Sequence, residues 1–428
     1  MSDGGAARDV ARATSATVGA GATAASAVTG AWRRAGVAGA TIGVIAASAA
    51  AGVAIDRLTV SRGMRRRARL ALDVAGPYGA LRGTPGRAIA DDGTELYVEI
   101  DEAEGSGEAG RAAHTAAHAA RAAGAGRAGS AARHGPTAPG GPVTVVFSHG
   151  YCLNQDSWHF QRAALRGRVR TVHWDQRSHG RSGRGVAQGG PGPEPVTIDQ
   201  LGRDLKAVID AAAPEGPLVL VGHSMGGMTI MALAEQYPDL IRERVAAVAL
   251  VGTSSGRLAE ITYGLPAFGV NAARRVLPGV LKALGSQAGL VEKGRRVTAD
   301  LYAGVIKRYS FGSEDVDPAI ARFAERMIEH TPIDVVAEFY PAFADHDKVR
   351  ALAVFRSTPA LILAGEGDLI TPSSHSEAIA EVLPDAELVL VERAGHLVML
   401  EHPDAVTDRL TGLLARAGVP GFSPGACP

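Results

Sequence analysis

Residues 218–228 read Leu-Val-Leu-Val-Gly-His-Ser-Met-Gly-Gly-Met, and an apolar helical stretch follows that closes at Tyr237-Pro238. No other feature of the chain so narrows what it can fold into. Four apolar, partly β-branched residues run straight into Gly222-His223-Ser224-Met225-Gly226. A buried strand that turns at once into a helix crowds its own backbone, and only small residues flanking the turn let the two elements approach so closely. The spacing predicts a sharp strand-to-helix elbow with the Ser224 hydroxyl exposed at its tip. Met225 N–H would then lie at a helix N-terminus, where donors are unpaired and the helix dipole favours negative charge. A serine in a Gly-rich turn is also an ordinary loop feature, so the context decides.

That context is a rhythm of short apolar runs and helical stretches. Strands are expected at 143–147, 170–174, 218–221, 245–251, 360–364 and 387–391. Helices are expected at 198–213, 225–236 and 403–416. Such alternation implies an α/β fold: a mostly parallel sheet with helices on both faces. Residues 87–100 read as a hairpin, with Ala90-Asp91-Asp92-Gly93 as the turn and Leu96, Val98 and Ile100 alternating after it. Residues 256–350 break the rhythm with helix-like sequence, and an insertion near the carboxyl ends of parallel strands lies over the place where such sheets bind ligands. We read this block as a helical cap. Residues 102–142 are low-complexity Ala, Gly, Arg and His, read as a surface insert. Within it His114 and His118 are four apart, but without the further ligands a metal site needs, so no metal is expected.

The N-terminal segment is a separate physical object. The whole chain is formally neutral, which gives no global reason to expect nucleic acid, yet residues 1–70 carry ten Arg and three Asp. Residues 1–34 are expected to be disordered. Residues 35–55 are uncharged, and at about 1.5 Å per residue just span a bilayer core of about 30 Å. The expectation is membrane association through one N-terminal span, followed by a basic linker over 56–84. The alternatives are a twin-arginine-like export signal at Trp32-Arg33-Arg34 and a surface helix. The main domain is placed at 85–418 and a tail at 419–428. Two cysteines, Cys152 and Cys427, make neither a disulfide framework nor a zinc site.

An alcohol is a poor nucleophile until a base takes its proton, and the base needs a third group to orient it. Asp368 sits just past the strand at 360–364, and His396 just past the strand at 387–391. With Ser224 they leave the same edge of the sheet. Asp368 as a helix cap, Glu366 as the acid, and a solvated His396 are the competing assignments; His402 comes a step too late to face Ser224. An oxyanion hole needs two converging N–H donors. Met225 is one, and Tyr151, in the loop after the first strand of the rhythm, is the second, ahead of Gly150. Cys152 has no evident local base, so it is not the expected nucleophile.

His149-Gly150, Asp175-Gln-Arg177-Ser-His179-Gly180-Arg-Ser182, Gly222-His-Ser224-Met-Gly226-Gly227, Gly365-Glu-Gly-Asp368 and Gly395-His396 together resemble the α/β-hydrolase superfamily. The resemblance covers about 85–418 and implies the α/β-hydrolase fold with an inserted helical cap. It implies that the Asp175–Ser182 stretch shapes a loop and is structural. Ser178 stands where glycine is usual. The expected activity is serine hydrolysis of carboxylic esters through an acyl-enzyme, on a small-molecule acyl substrate, lipid-like or otherwise apolar. Thioester, amide or carbon–carbon hydrolysis is the alternative, and a non-catalytic binding protein a more distant one. No cofactor is implied, because neither a Gly-x-Gly-x-x-Gly helix start nor a phosphate loop is found.

Overall fold

Strand-forming residues here alternate sides so regularly that both faces of each central strand need cover. In β5 (Leu218–His223) every residue is buried. Val219 and Val221 face one apolar cluster, Leu218 and Leu220 the other. The neighbouring β3 (Thr144–Ser148) divides in the same way, with Val145 and Phe147 on one side and Val146 on the other. This is the period of two expected for a strand covered on both faces.

The computed structural model describes residues 78–104, 141–189, 195–258, 279 and 299–422. Among them, eight strands form one sheet in the order β1-β2-β4-β3-β5-β6-β7-β8. The others are β1 (Thr84–Ile89), β2 (Glu95–Asp101), β4 (Arg170–Trp174), β6 (Val245–Val251), β7 (Ala360–Gly365) and β8 (Glu387–Val391). β1 and β2 pair antiparallel, and β2 runs antiparallel to β4. All pairings from β4 to β8 are parallel. The hairpin begins at Thr84, three residues before the alternation visible in sequence, because the exposed start of β1 carries no apolar pattern.

Helices cover both faces. α1 (His159–Leu165), α2 (Ile198–Ala212) and α3 (Met225–Gln236) lie between the early strands. α2 starts where the Thr197 side chain accepts from Gln200 N–H, the usual N-cap contact. It buries Leu201, Leu205, Val208, Ile209 and Ala212, one helical stripe. Between β6 and β7 stand α4 (Ala299–Ser310), α5 (Pro318–His330) and α6 (Ile333–Ala344). α7 (Ser373–Val382) precedes β8, and α8 (Pro403–Arg416) closes the described helices. Past α8, Val419 and Phe422 are still buried in the same cluster as Leu413.

Buried charge fastens the hairpin to the body. Arg177 is fully buried, with Nη2 2.6 Å from Asp204 of α2 and Nη1 2.8 Å from Asp92 in the β1–β2 turn. On the other side Arg162 of α1 pairs with Asp101 at 2.6 Å and Glu99 at 2.8 Å.

The expected membrane localisation is corrected. No helix among the described residues is long and apolar enough to cross a membrane. The weakly apolar Ala and Gly run at 35–55 falls outside the described residues, as do 1–34, His114 and His118.

Candidate active site

The elbow is strained where strain is useful. Ser224 has φ 51° and ψ −118°, a conformation that L-residues avoid and that persists only where the surroundings enforce it. Enforcement comes from both sides. Ser224 N–H donates to Val251 O at 2.9 Å, and Thr253 Oγ1 donates to Ser224 O at 2.6 Å. A Cβ at Gly226 would sit 2.2 Å from Ser148 O, and one at Gly222 would sit 2.5 Å from Gly226 O. Only glycines permit a turn this tight against β3. Met225 opens α3, so its N–H has no partner within the helix.

Two further loops converge on this edge of the sheet. His396 Nδ1 lies 2.8 Å from Asp368 Oδ2. Asp368 Oδ1 accepts from Ile370 N–H at 2.8 Å and Thr371 N–H at 2.9 Å. Burial alone would raise the Asp368 carboxyl. The charge of His396 and the hydrogen bonds from His396, Thr371 and Ile370 hold it below the usual carboxylate range. It is therefore ionised near neutral pH, and the facing Nδ1 carries the imidazole hydrogen. Glu366, the rival acid, is exposed, and His402 is the N-cap residue of α8.

Ser224 is linked to the His396 loop through its neighbour. His223 Nε2 lies 2.8 Å from His396 O, so Nε2 donates and the His223 tautomer is fixed. Burial pushes His223 down to about 3, keeping it neutral. The loop is also held from outside. Gly395 N–H donates to Glu401 Oε2 at 2.7 Å, and Leu397 N–H donates to Ser310 O at 2.8 Å. The same Glu401 carboxylate accepts from Gly312 and Ser313 N–H.

The loop after β3 approaches from the opposite side. A Cβ at Gly150 would lie 3.2 Å from Ser224 Cβ, so this backbone passes directly beside the serine. His149 accepts from Gln176 N–H through Nε2 at 2.9 Å and reaches Gly150 O through Nδ1 at 2.7 Å. Tyr151 sends its hydroxyl to Val336 O of α6 at 2.5 Å and packs its ring against Phe343 at 5.1 Å. Its ring and the Met225 side chain belong to one apolar cluster with Met228, Val335 and Phe339. Cys152 adopts φ 59° and donates its N–H to His179 Nε2 at 3.2 Å.

The Asp175–Ser182 stretch folds around one carboxylate. Asp175 accepts from Gln155 N–H at 2.7 Å and Arg181 N–H at 2.9 Å. Burial, the largest influence, pushes it up to about 6. Ser178 takes φ 62°, the left-handed value that makes glycine usual there. Among the described residues no group of three His, Cys, Asp or Glu side chains is arranged to hold a metal.

Four contributors escaped sequence reasoning: Thr371, His223, Thr253 and Glu401. Thr371 stands three residues after Asp368, a spacing at which a hydroxyl readily turns back, and that signal was available. His223 and Thr253 act across long stretches of chain, as Glu401 does toward Gly312 and Ser313, and such contacts leave no local pattern.

The model of the alpha/beta hydrolase fold family matches residues 143–403, and the chain belongs to that family. It is 28% identical over 280 residues to the dihydrolipoyllysine-residue acetyltransferase component of the acetoin cleaving system of Pseudomonas putida, covering 64% of each protein. The match thus spans less than two thirds of that relative. The chain is 27% identical over 288 residues to the sn-1-specific diacylglycerol lipase ABHD11 of Mus musculus, covering 63% of this chain and 80% of that one. Among solved structures, a thermophilic esterase from Thermogutta terrifontis superposes with TM-score 0.53 at 20% identity, covering 78% of this chain and 98% of that one. At that identity the likeness speaks for the fold alone.

Proposed function

We propose that the chain is a serine hydrolase that cleaves carboxylic esters through an acyl-enzyme, on a small-molecule acyl substrate that is lipid-like or otherwise apolar. Ser224 is the nucleophile, His396 the general base and then acid, and Asp368 the group that orients the imidazole. His396 Nε2 takes the Ser224 proton as Oγ attacks the acyl carbon. Met225 and Tyr151 N–H receive the oxyanion, each worth about 3 kcal/mol of transition-state stabilisation. The imidazolium returns its proton to the departing alcohol, and water repeats the sequence to free the acid.

The observation that carries this reading is the Asp368 carboxyl held 2.8 Å from His396 Nδ1, with a strained serine on the same sheet edge. A buried cluster of Met225, Met228, Val335 and Phe339 ties the elbow to α6 of the block read as the cap, while 259–278 and 280–298 of that block lie outside the described residues. The test is turnover of a p-nitrophenyl ester series by the parent chain and by Ser224→Ala. We expect loss of at least three orders of magnitude in the variant. Equal rates would end the proposal. Thioesters, amides and activated carbon–carbon bonds belong in the same panel, because bond preference is set by the pocket.

A further inference from the structure

Thr371 is fully enclosed, and its hydroxyl sits where the proton arrangement of the site is decided. Oγ1 lies 2.9 Å from Gly252 O, 2.9 Å from Asp368 Oδ2 and 3.3 Å from His396 Nδ1. A hydroxyl has one hydrogen to give and lone pairs to receive. Gly252 O and the ionised carboxylate only accept, whereas Nδ1 carries a hydrogen. Thr371 therefore faces two acceptors at equal distance for its one hydrogen, and one donor for a lone pair.

The two settings differ chemically. Donating to Asp368 divides the carboxylate between Thr371 and His396, which suits a neutral imidazole. Donating to Gly252 O leaves the carboxylate wholly to His396 and turns an Oγ1 lone pair toward Nδ1–H, which suits the imidazolium. We propose that Thr371 is a positioning residue whose hydroxyl rotates from Asp368 Oδ2 to Gly252 O as His396 takes up the serine proton. No bond to carbon changes; one O–H swings between two acceptors. The inference rests on the Ser224, His396 and Asp368 roles given above.

Among the described residues, the titratable groups around the imidazole are Asp368 from the acid loop, His223 from the elbow, and Glu401, whose carboxylate binds Gly395 N–H. His223 stays neutral through burial. The acid limb of kcat/KM thus reports on His396 and its immediate partners. A rotating hydroxyl favours the imidazolium more than the imidazole, so its removal lowers His396 basicity.

The experiment compares the parent with Thr371→Val, Thr371→Ala and Thr371→Ser on one p-nitrophenyl ester. In Val and Ala variants the acid limb moves down by about half a pH unit, kcat falls by roughly five- to tenfold, and KM stays within about twofold. Thr371→Ser keeps the parent limb. If Val fails to fold, Ala carries the comparison. An unmoved limb in the hydroxyl-free variants, or a Ser variant that follows them, overturns the proposal. An upward move also overturns it, because that is the signature of a hydroxyl fixed on Asp368. Fluorophosphonate labelling of Ser224 in the parent separates the levels: an unlabelled parent removes the hydrolase reading itself, whereas a labelled parent with an unmoved limb removes only Thr371.

Discussion

Replacing Asp368 by asparagine changes one atom and almost no volume, and the surrounding backbone dictates how the amide must turn. Ile370 and Thr371 N–H point at Oδ1 from 2.8 and 2.9 Å. If the amide nitrogen took that place, the buried Thr371 donor and the half-buried Ile370 donor would lose their acceptor, at about 1–3 kcal/mol for the buried one and less for the other. The amide oxygen therefore keeps the backbone donors, and the NH2 group faces His396. A donor now confronts Nδ1, so the imidazole hydrogen must move to Nε2. Nε2, the nitrogen proposed to receive the Ser224 proton, then has no lone pair with which to take it. The expected outcome of Asp368→Asn is a fall in kcat of about 10⁴, or about 5.5 kcal/mol in activation free energy. Folding changes little, because every backbone contact of the side chain survives. The assay is steady-state hydrolysis of p-nitrophenyl butyrate alongside a thermal melt. A folded variant that keeps a tenth of parental kcat would refute the tautomer argument and hand the acid's role to another group.

Acid should destabilise the fold well above the carboxylate range. Burial pushes His149 and His223 down to about 3 and His179 down to about 4. In the unfolded chain each takes a proton below about 6.5, so their contribution is complete above that pH and drains away as pH falls toward the folded values. Each histidine costs about 1.4 kcal/mol per pH unit below 6.5. Asp175, raised to about 6 by burial, works oppositely, because the folded state holds its proton between about 6 and 4. Its gain offsets one histidine over that window. Urea midpoints at pH 7, 6 and 5 should fall steeply, and a flat series would contradict the buried neutral histidines. Arg177→Leu strands the Asp204 carboxylate, which is 0% exposed. We expect about 3–5 kcal/mol of lost stability by urea melt, and a loss below about 1 kcal/mol would show that solvent reaches the pair.

The central sheet was readable because its signal is local. β4, β6 and β8 fall on the residues that the apolar runs mark, and α3 begins at the residue after the serine. The edge was harder. β1 buries only Ala88, so its first residues have no apolar rhythm to betray them. α1 and α7 are short and half-covered, and their patterns blur into loops. At the site, the order of Ser224, Asp368 and His396 along the chain was legible. The cradle around them was not. Thr253 reaches Ser224 O from the loop after β6, and Glu401 reaches Gly312 and Ser313 across the stretch that holds α5 and α6. Such contacts depend on tertiary closure, which periodicity does not encode.

The carboxylate of Glu401 ties Gly395 to Gly312 and Ser313, and Ser310 O receives Leu397 N–H. Any exchange within the block proposed as the cap should therefore leave 310–313 native. A chimaera that replaced those residues would detach the support of the His396 loop, and would lose activity for reasons unrelated to whatever was exchanged elsewhere.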